Sequence, residues 1–285
     1  MIRFKFLKLL LLVCIGFTGC VSSRQTNNRF YFVQMTDPQF GFFTDNKSFE
    51  KENVNYSKAI DETNRLKPSF LIVTGDLVNK PFDTAQIHAY LSISKKLDAG
   101  ISHYHVAGNH DVGNHPAPAD IDAYNKIFGK DYYSFTSRSM LGIVLNSLYL
   151  TSPEKVTEKA AEQEKWLIRV LEDSKAAGYQ HKIVFLHHPL FLVQPDEANG
   201  YFNIPIETRK RYLDLFKKHG IKYVFAGHYH RNAFGKNADI EMVTTGPVGK
   251  PLGQDPSGFR IITVKGRHLQ HRYYNLDSIP AKIKF

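Results

Sequence analysis

Cysteine is almost missing from this chain. Only Cys14 and Cys20 occur, both near the N-terminus, so no disulfide framework can staple the rest of the sequence. With 285 residues the chain can bury a large core without disulfides or a structural metal, and any metal it binds serves chemistry rather than folding. Long apolar runs are missing too. The stretch from Leu9 to Phe17 is too short for an ordinary transmembrane helix. There is no internal repeat, no low-complexity block and no long Lys/Arg block. The formal net charge of +10 therefore does not point to nucleic acid, and no nucleic-acid partner is expected. The densest basic run, Arg209-Lys210-Arg211, reads as a solvated helix face. A scattered positive balance suits an anionic substrate or a negatively charged membrane surface.

What is present begins with a targeting segment. Met1 to Lys8 carries Arg3, Lys5 and Lys8, Leu9 to Phe17 is apolar, and Thr18-Gly19-Cys20 follows. These are the basic region, short apolar region and small-residue cleavage site of a signal peptide over residues 1–19. Phe17 to Cys20 resembles a bacterial lipobox, which implies cleavage before Cys20 and lipidation of its thiol. Cys14 would leave with the signal, and the mature domain would keep no free thiol. Residues 20–29 read as the lipidated Cys and a polar tether. Residues 30–285 read as one domain, exported to the bacterial cell envelope, lipid-anchored and monomeric.

Along that domain, apolar patterning alternates between strand and helix. Strands are expected at 30–35, 70–73, 101–106, 132–135, 142–145, 183–186 and 223–226, and again at 241–245, 259–264 and 268–274. Helices are expected at 54–66, 84–97, 121–128, 158–177 and 206–218. Alternation of this kind marks an α/β fold, and the β-rich tail fits two packed sheets with helices outside both.

Five polar clusters each follow an apolar strand: Thr36-Asp37-Pro38-Gln39, Gly75-Asp76, Gly108-Asn109-His110-Asp111, His187-His188-Pro189 and Gly227-His228-Tyr229-His230. Ligands in open α/β sheets bind beyond the carboxyl ends of strands. A lone Gly-Asp is an ordinary turn, and His-Tyr-His alone is an ordinary strand edge. Gly-Asn-His-Asp is sharper, because three adjacent polar side chains are costly to bury without partners. All five together point to one site.

Their order resembles the calcineurin-like metallophosphoesterase superfamily over about residues 30 to 275. The resemblance implies an α/β four-layer α-β-β-α sandwich with two mixed β-sheets. It also implies a dinuclear metal centre that hydrolyses phosphate esters with a metal-bound hydroxide. Asp76 would bridge two divalent ions, Asp37 and His230 would hold one, and Asn109, His187 and His228 would hold the other. His188 would be a supporting residue. His110 would protonate or stabilise the leaving group, with Asp111 orienting His110 and holding it protonated. Two divalent ions, two carboxylates and a hydroxide leave the centre at about +1, ready for a phosphate ester.

One position departs from the family pattern. Gln39 stands where most members have His. Its amide oxygen either coordinates directly or holds a water, and a hard oxygen there shifts preference toward Mn, Mg or Fe and away from Zn, with Mn favoured. The Asp-Pro-Gln form, followed by Phe40-Gly41, resembles a subgroup related to calcineurin-like phosphoesterase-domain serine/threonine phosphatases. The turn-rich stretch from Leu252 to Arg260 is either a loop at the pocket rim or a plain hairpin connection. Asn114, His115 and Arg231 are candidates to face the pocket. Tyr229, between two ligands on a strand, should point away from them, and His103 and His105 read as packing residues. A phosphomonoesterase is the leading expectation, a phosphodiesterase on nucleotide or lipid head-group substrates the second, and a non-catalytic surface-binding lipoprotein the third.

Overall fold

The structure is a computed structural model that describes Met1 and residues 29–285. The expected signal peptide, Cys20 and the tether up to residue 28 lie outside the described residues. Arg29, expected in the tether, is the first residue of a strand. No helix among the described residues is long and apolar enough to cross a membrane.

Among the described residues, eleven strands form two mixed sheets. The first has the order β11-β10-β1-β2-β3, where β1 is Arg29–Met35, β2 Phe70–Thr74, β3 Ser102–Val106, β10 Gly258–Lys265 and β11 His268–Asn275. The second has the order β4-β5-β6-β7-β9-β8, with β4 Tyr133–Ser137, β5 Met140–Val144, β6 His181–Phe185, β7 Tyr223–Ala226, β8 Ala233–Asn237 and β9 Ile240–Thr244. β1, β2 and β3 run parallel, as do β5, β6, β7 and β9. The remaining strands are antiparallel additions at the sheet margins.

The central strands are apolar on both faces, as sheets covered on both sides must be. Phe32, Phe70, Phe185 and Phe225 fill the space between the sheets. Phe32 stacks on Phe70 at 4.4 Å and meets Phe185 edge-on at 5.9 Å. The alternate residues of β1, Val33 and Met35, turn to the helical side. There lie the helices α1 (Glu50–Leu66) and α2 (Thr84–Ser94) with α4 (Pro118–Phe128), and α6 (Thr157–Asp173) and α7 (Ile206–Lys218). Two single turns, α3 (Asn109–Val112) and α5 (Leu148–Thr151), interrupt the loops. The expected four-layer sandwich is the architecture observed.

Several details differ from the sequence-based expectation. β8 was not anticipated, because Ala233–Asn237 lacks an apolar alternation. The helix expected to reach residue 177 stops at Asp173, where the Ser174 hydroxyl turns back to bond the Leu171 carbonyl. β7 ends at Ala226, so the Gly-His-Tyr-His motif occupies a turn rather than a strand.

Candidate metal centre

Each parallel strand that carries a motif delivers it at its carboxyl end. Asp37 and Gln39 follow β1, Asp76 follows β2, Asn109 opens α3 after β3, His187 follows β6, and His228 and His230 follow β7. All seven are buried. Asp37, Gln39, Asp76, His228 and His230 adopt left-handed backbone conformations, with φ of 50°, 39°, 50°, 68° and 54°. Non-glycine residues rarely adopt this region, and such outliers concentrate at functional sites. The glycines beside them are sterically required. A Cβ on Gly108 would sit 2.2 Å from the Asp76 backbone nitrogen, and one on Gly227 would sit 1.7 Å from Thr36 Oγ1.

Two groups of ligand atoms result, each within 4.8 Å: Asp76, His187 and His228, and Asp37, Asp76 and His230. Asp76 belongs to both. Asn109 joins the first, with its Oδ1 3.0 Å from His187 Nε2. Its amide hydrogens face Asn114 Oδ1 at 2.9 Å and the Tyr201 hydroxyl at 3.3 Å, which leaves the oxygen to turn inward. Gln39 joins the second. Its Nε2 donates to Asn79 Oδ1 at 3.1 Å, while its buried Oε1 has no hydrogen-bond partner. A buried acceptor left unsatisfied costs about 1–3 kcal/mol, and a cation would satisfy it.

Every histidine ligand is oriented by a backbone carbonyl. His187 Nδ1 lies 2.9 Å from Thr74 O, His230 Nδ1 2.7 Å from Lys250 O, and His228 Nε2 3.0 Å from Tyr201 O. A carbonyl only accepts, so these nitrogens carry the hydrogen and the opposite nitrogen of each ring is the one that could serve as ligand. His187 Nε2 is 3.3 Å from Asp76 Oδ2, and His230 Nε2 is 3.5 Å from Asp37 Oδ1.

The electrostatics fit cation binding. Burial pushes the Asp37 carboxyl up, and His230 and His187 offset this only in part. Burial acts the same way on Asp76, but His187 and His110 outweigh it and hold that carboxyl far below its usual range. Burial alone would lower His187, yet its contact with Asp76 carries it up to about 9. His228 is pushed down to about 3 by burial and by His187. A proton on His187 thus balances Asp76, and a cation held by both would take over that proton's role.

The remaining motif residues sort by contact. His110 donates its backbone N–H to Asp76 Oδ1 at 2.8 Å, and its ring Nδ1 lies 2.7 Å from Asn79 O. The expected role of Asp111 as the residue that orients His110 does not match its contacts. Its carboxylate instead accepts from the backbone N–H groups of Leu77, Val78 and Gly108 at 2.8, 3.2 and 2.8 Å. His188 bonds Ser147 Oγ at 2.8 Å and packs tilted against His228 at 4.1 Å, in the supporting place expected of it. His115 is exposed and stands 4.0 Å from Glu154, away from the ligands. Arg231 donates to Leu252 O and lies over the Tyr229 ring. Tyr229 itself packs on Phe202. His103 and His105 pack together at 4.2 Å beneath Tyr90 and Phe128. The stretch that starts at Leu252 borders the site, since the Leu252 N–H donates to His230 O at 3.1 Å.

Sequence reasoning missed Asn79 and Tyr201. Asn79 serves both His110 and Gln39, and Tyr201 touches both Asn109 and His228. Asn79 lies three residues past Asp76 in the same loop, a spacing that could have flagged it. Tyr201 lies in a long loop with no motif around it.

A two-sheet sandwich that gathers two Asp/His groups around one shared carboxylate at its strand ends defines a metallophosphoesterase. The chain belongs to the calcineurin-like phosphoesterase family, which residues 30–232 match, and is accordingly a metal-dependent phosphoric ester hydrolase. Among its relatives is the human serine/threonine-protein phosphatase CPPED1, 37% identical over 269 residues that cover 89% of this chain and 86% of that protein. Among solved structures, the fold matches purple acid phosphatase PPD1 from yellow lupin seeds with a TM-score of 0.65 at 14% identity, covering 87% of this chain and 52% of that one. It also matches a dimetal phosphatase from Danio rerio with a TM-score of 0.60 at 16% identity, covering 86% and 99%.

Proposed function

We propose that this chain is a phosphomonoesterase that works with two divalent cations, manganese favoured. The observation that carries the reading is the pair of ligand groups sharing Asp76. Asp37, Gln39, Asp76 and His230 would hold one cation, and Asp76, Asn109, His187 and His228 the other. Bound there, the cations would lower the pKa of water and neutralise charge on the phosphoryl oxygens.

The protein's own part is orientation and proton handling. The carbonyls of Thr74, Lys250 and Tyr201 fix the imidazoles, so no ring has to turn when a cation or substrate arrives. His110 has its Nδ1 committed to Asn79 O, which leaves Nε2 as the ring atom that can donate a proton to the departing alkoxide. Asp111 acts on this residue through the backbone, by holding the Gly108 end of the turn that carries it.

The relative named above is called a serine/threonine-protein phosphatase, so phosphoseryl and phosphothreonyl peptides belong among the substrates to be tried. Export and lipidation at Cys20 remain part of the proposal, and they favour an ester of the cell envelope or its surroundings. The test compares p-nitrophenyl phosphate, bis-p-nitrophenyl phosphate and a phosphoserine peptide, with manganese supplied. A kcat/KM at least about tenfold higher on the monoesters is expected, a difference of about 1.4 kcal/mol in transition-state binding. Preference for the diester would replace this reading with the phosphodiesterase one. Undiminished hydrolysis by Asn109→Ala or His110→Ala would remove the catalytic assignment.

A further inference from the structure

Without bound cations, the two ends of the sandwich carry opposite charge. The metal centre occupies the end where the parallel strands finish. The other end is built from the seven connections that lead into those strands or turn their antiparallel neighbours: 67–69, 95–101, 138–139, 174–180, 219–222, 238–239 and 266–267. The His181 ring, at the start of β6, bonds Gly266 O in the β10–β11 turn at 2.8 Å, which ties both sheets together at this end.

Its charges are one-sided. Lys67 follows α1, Lys95 and Lys96 follow α2, and Arg138 sits in the β4–β5 turn. Lys175 follows α6, Lys222 precedes β7, and Arg267 sits in the β10–β11 turn. All seven are exposed, and the same connections hold only Asp98 and Asp239 as acids, giving 7 − 2 = +5. Of the seven, only Lys175 is ion-paired among the described residues, with Glu172. The connections at the metal end (36–49, 75–83, 107–117, 129–132, 145–156, 186–205, 227–232 and 245–257) hold six basic and ten acidic residues, giving 6 − 10 = −4. Residues 1–28 carry four basic and no acidic residues, so residues 29–285 have a net charge of 10 − 4 = +6. The connections opposite the metal centre add +5 to that balance where those at the metal end subtract 4, and the strands, helices and C-terminal tail carry the remainder.

The chain also enters the fold at this basic end. Arg29 begins β1 and pairs with Lys265 beside the β10–β11 turn. The seven residues of β1 then span roughly 20–25 Å before Asp37. Only eight residues separate Cys20 from Arg29, at most about 30 Å of extended chain.

We propose that this basic end is a docking face for an anionic lipid surface, which holds the molecule upright with its metal centre turned away from the bilayer. The charges are spread over separate connections of both sheets rather than along one continuous segment, which suits a broad lipid surface better than a nucleic-acid backbone. Attraction of this kind falls off within a Debye length, and a segment of at most about 30 Å leaves the face near enough to reach the membrane once residue 20 is there. Substrates are then met from the aqueous side, not drawn from the leaflet that anchors the protein.

Lysine-reactivity footprinting of the full chain tests this. Labelling is compared on vesicles of equal phosphatidylglycerol and phosphatidylcholine, on pure phosphatidylcholine vesicles, and with duplex RNA at equal phosphate concentration. Lys67, Lys95, Lys96 and Lys222 should lose at least about fivefold in labelling rate on the anionic vesicles alone, while Lys80, Lys155 and Lys250 at the metal end do not. Uniform protection, protection at the metal end, or protection by RNA but not vesicles overturns the proposal. A second arm uses the triple variant Lys96→Glu, Lys222→Glu, Arg267→Glu. It should bind the anionic vesicles at least about tenfold more weakly at 0.1 M salt, with turnover of p-nitrophenyl phosphate unchanged. Equal vesicle binding by this variant also overturns the proposal, whatever the substrate of the metal centre proves to be.

Discussion

Replacing Asp111 by Asn separates two roles that the same residue type could play. If Asp111 held His110 protonated, the substitution would act through proton transfer. The contacts describe another role, in which one buried carboxylate gathers three backbone N–H groups from two loops, the Leu77–Val78 turn after β2 and Gly108 before α3. An amide is nearly isosteric but offers only one oxygen, and its NH2 group must face either Gly108 or the Leu77–Val78 pair. One or two charge-assisted bonds are lost, each worth about 1.5–3 kcal/mol, so destabilisation of about 3 kcal/mol is expected. For a domain of this size that lowers Tm by roughly 6–12 °C. Burial and the neighbouring Asp76 charge push the Asp111 carboxyl up to about 8 despite its N–H donors, so near neutral pH the lost bonds are only partly charge-assisted, and the lower half of the range is expected. Thermal unfolding by circular dichroism measures this, and the pH dependence of p-nitrophenyl phosphate hydrolysis is recorded beside it. Activity should fall, because Asn109 and His110 ride on the loosened turn, but the limbs of the pH profile should stay in place. A variant whose Tm moves by less than about 2 °C and whose pH profile shifts would refute the reasoning and return Asp111 to the role expected from sequence.

Three further outcomes follow from the same contacts. Gln39→His supplies an imidazole in place of an amide oxygen, and metal analysis of protein refolded with equal manganese and zinc should show zinc gaining at that position; an unchanged metal profile sinks the idea. Gly108→Ala drives a Cβ against the Asp76 backbone and should abolish metal binding even where the chain still folds, as read by isothermal titration. Finally, stability should depend on acid through the His103–His105 pair. Burial lowers His105 to about 4, and burial with the neighbouring His105 lowers His103 well below its usual value. These rings are neutral in the fold and take up protons on unfolding, so their contribution is fully present above pH 6.5 and is lost as pH falls toward 4. His105 alone gives about 2 kcal/mol of loss by pH 5, and urea titrations of His105→Phe should show a flatter pH dependence than the parent.

Much of the centre was legible because metal chemistry demands particular side chains at particular strand ends. Asp37, Asp76, Asn109, His187, His228 and His230 stand out in sequence for that reason, and the structure gathers all six. What orients them was not legible. Thr74, Lys250, Tyr201 and Asn79 act on the histidines through their carbonyl oxygens, and every residue type has one. The role that the resemblance implied for Asp111 does not match its contacts. His110 and Asp111 lie in a helical turn, where successive side chains diverge by about 100°, so Asp111 turns toward the loops beneath while the His110 ring turns toward Asn79. The turn at His228 and His230 was read as strand because alternating ligands look like a strand's alternating faces. Left-handed backbone at both residues achieves a similar spacing within a turn.

The two halves of the centre differ in how they are built. Around Asn109, His187 and His228, each donor is fixed by a carbonyl, or by a side chain that packs inside the same half. Gln39 is fixed by the Asn79 side chain, and that side chain is fixed in turn by Asn46, to which Asn79 Nδ2 donates at 2.8 Å. Gln86 completes the chain of amides, accepting from the Asn79 backbone at 3.0 Å and donating to Asn46 at 2.9 Å. The Gln39 oxygen is thus held by a relay of neutral amides reaching out to α2. An amide oxygen donates less charge to a cation than an imidazole does, and each link adds its own freedom. Each half has one amide oxygen, Asn109 or Gln39, but the Gln39 oxygen has the longer support and only one imidazole beside it, so selectivity between cations should be decided on the Gln39 side. That same relay passes from Asn79 to the His110 ring, which couples the choice of cation at Gln39 to the placement of the group that meets the leaving oxygen.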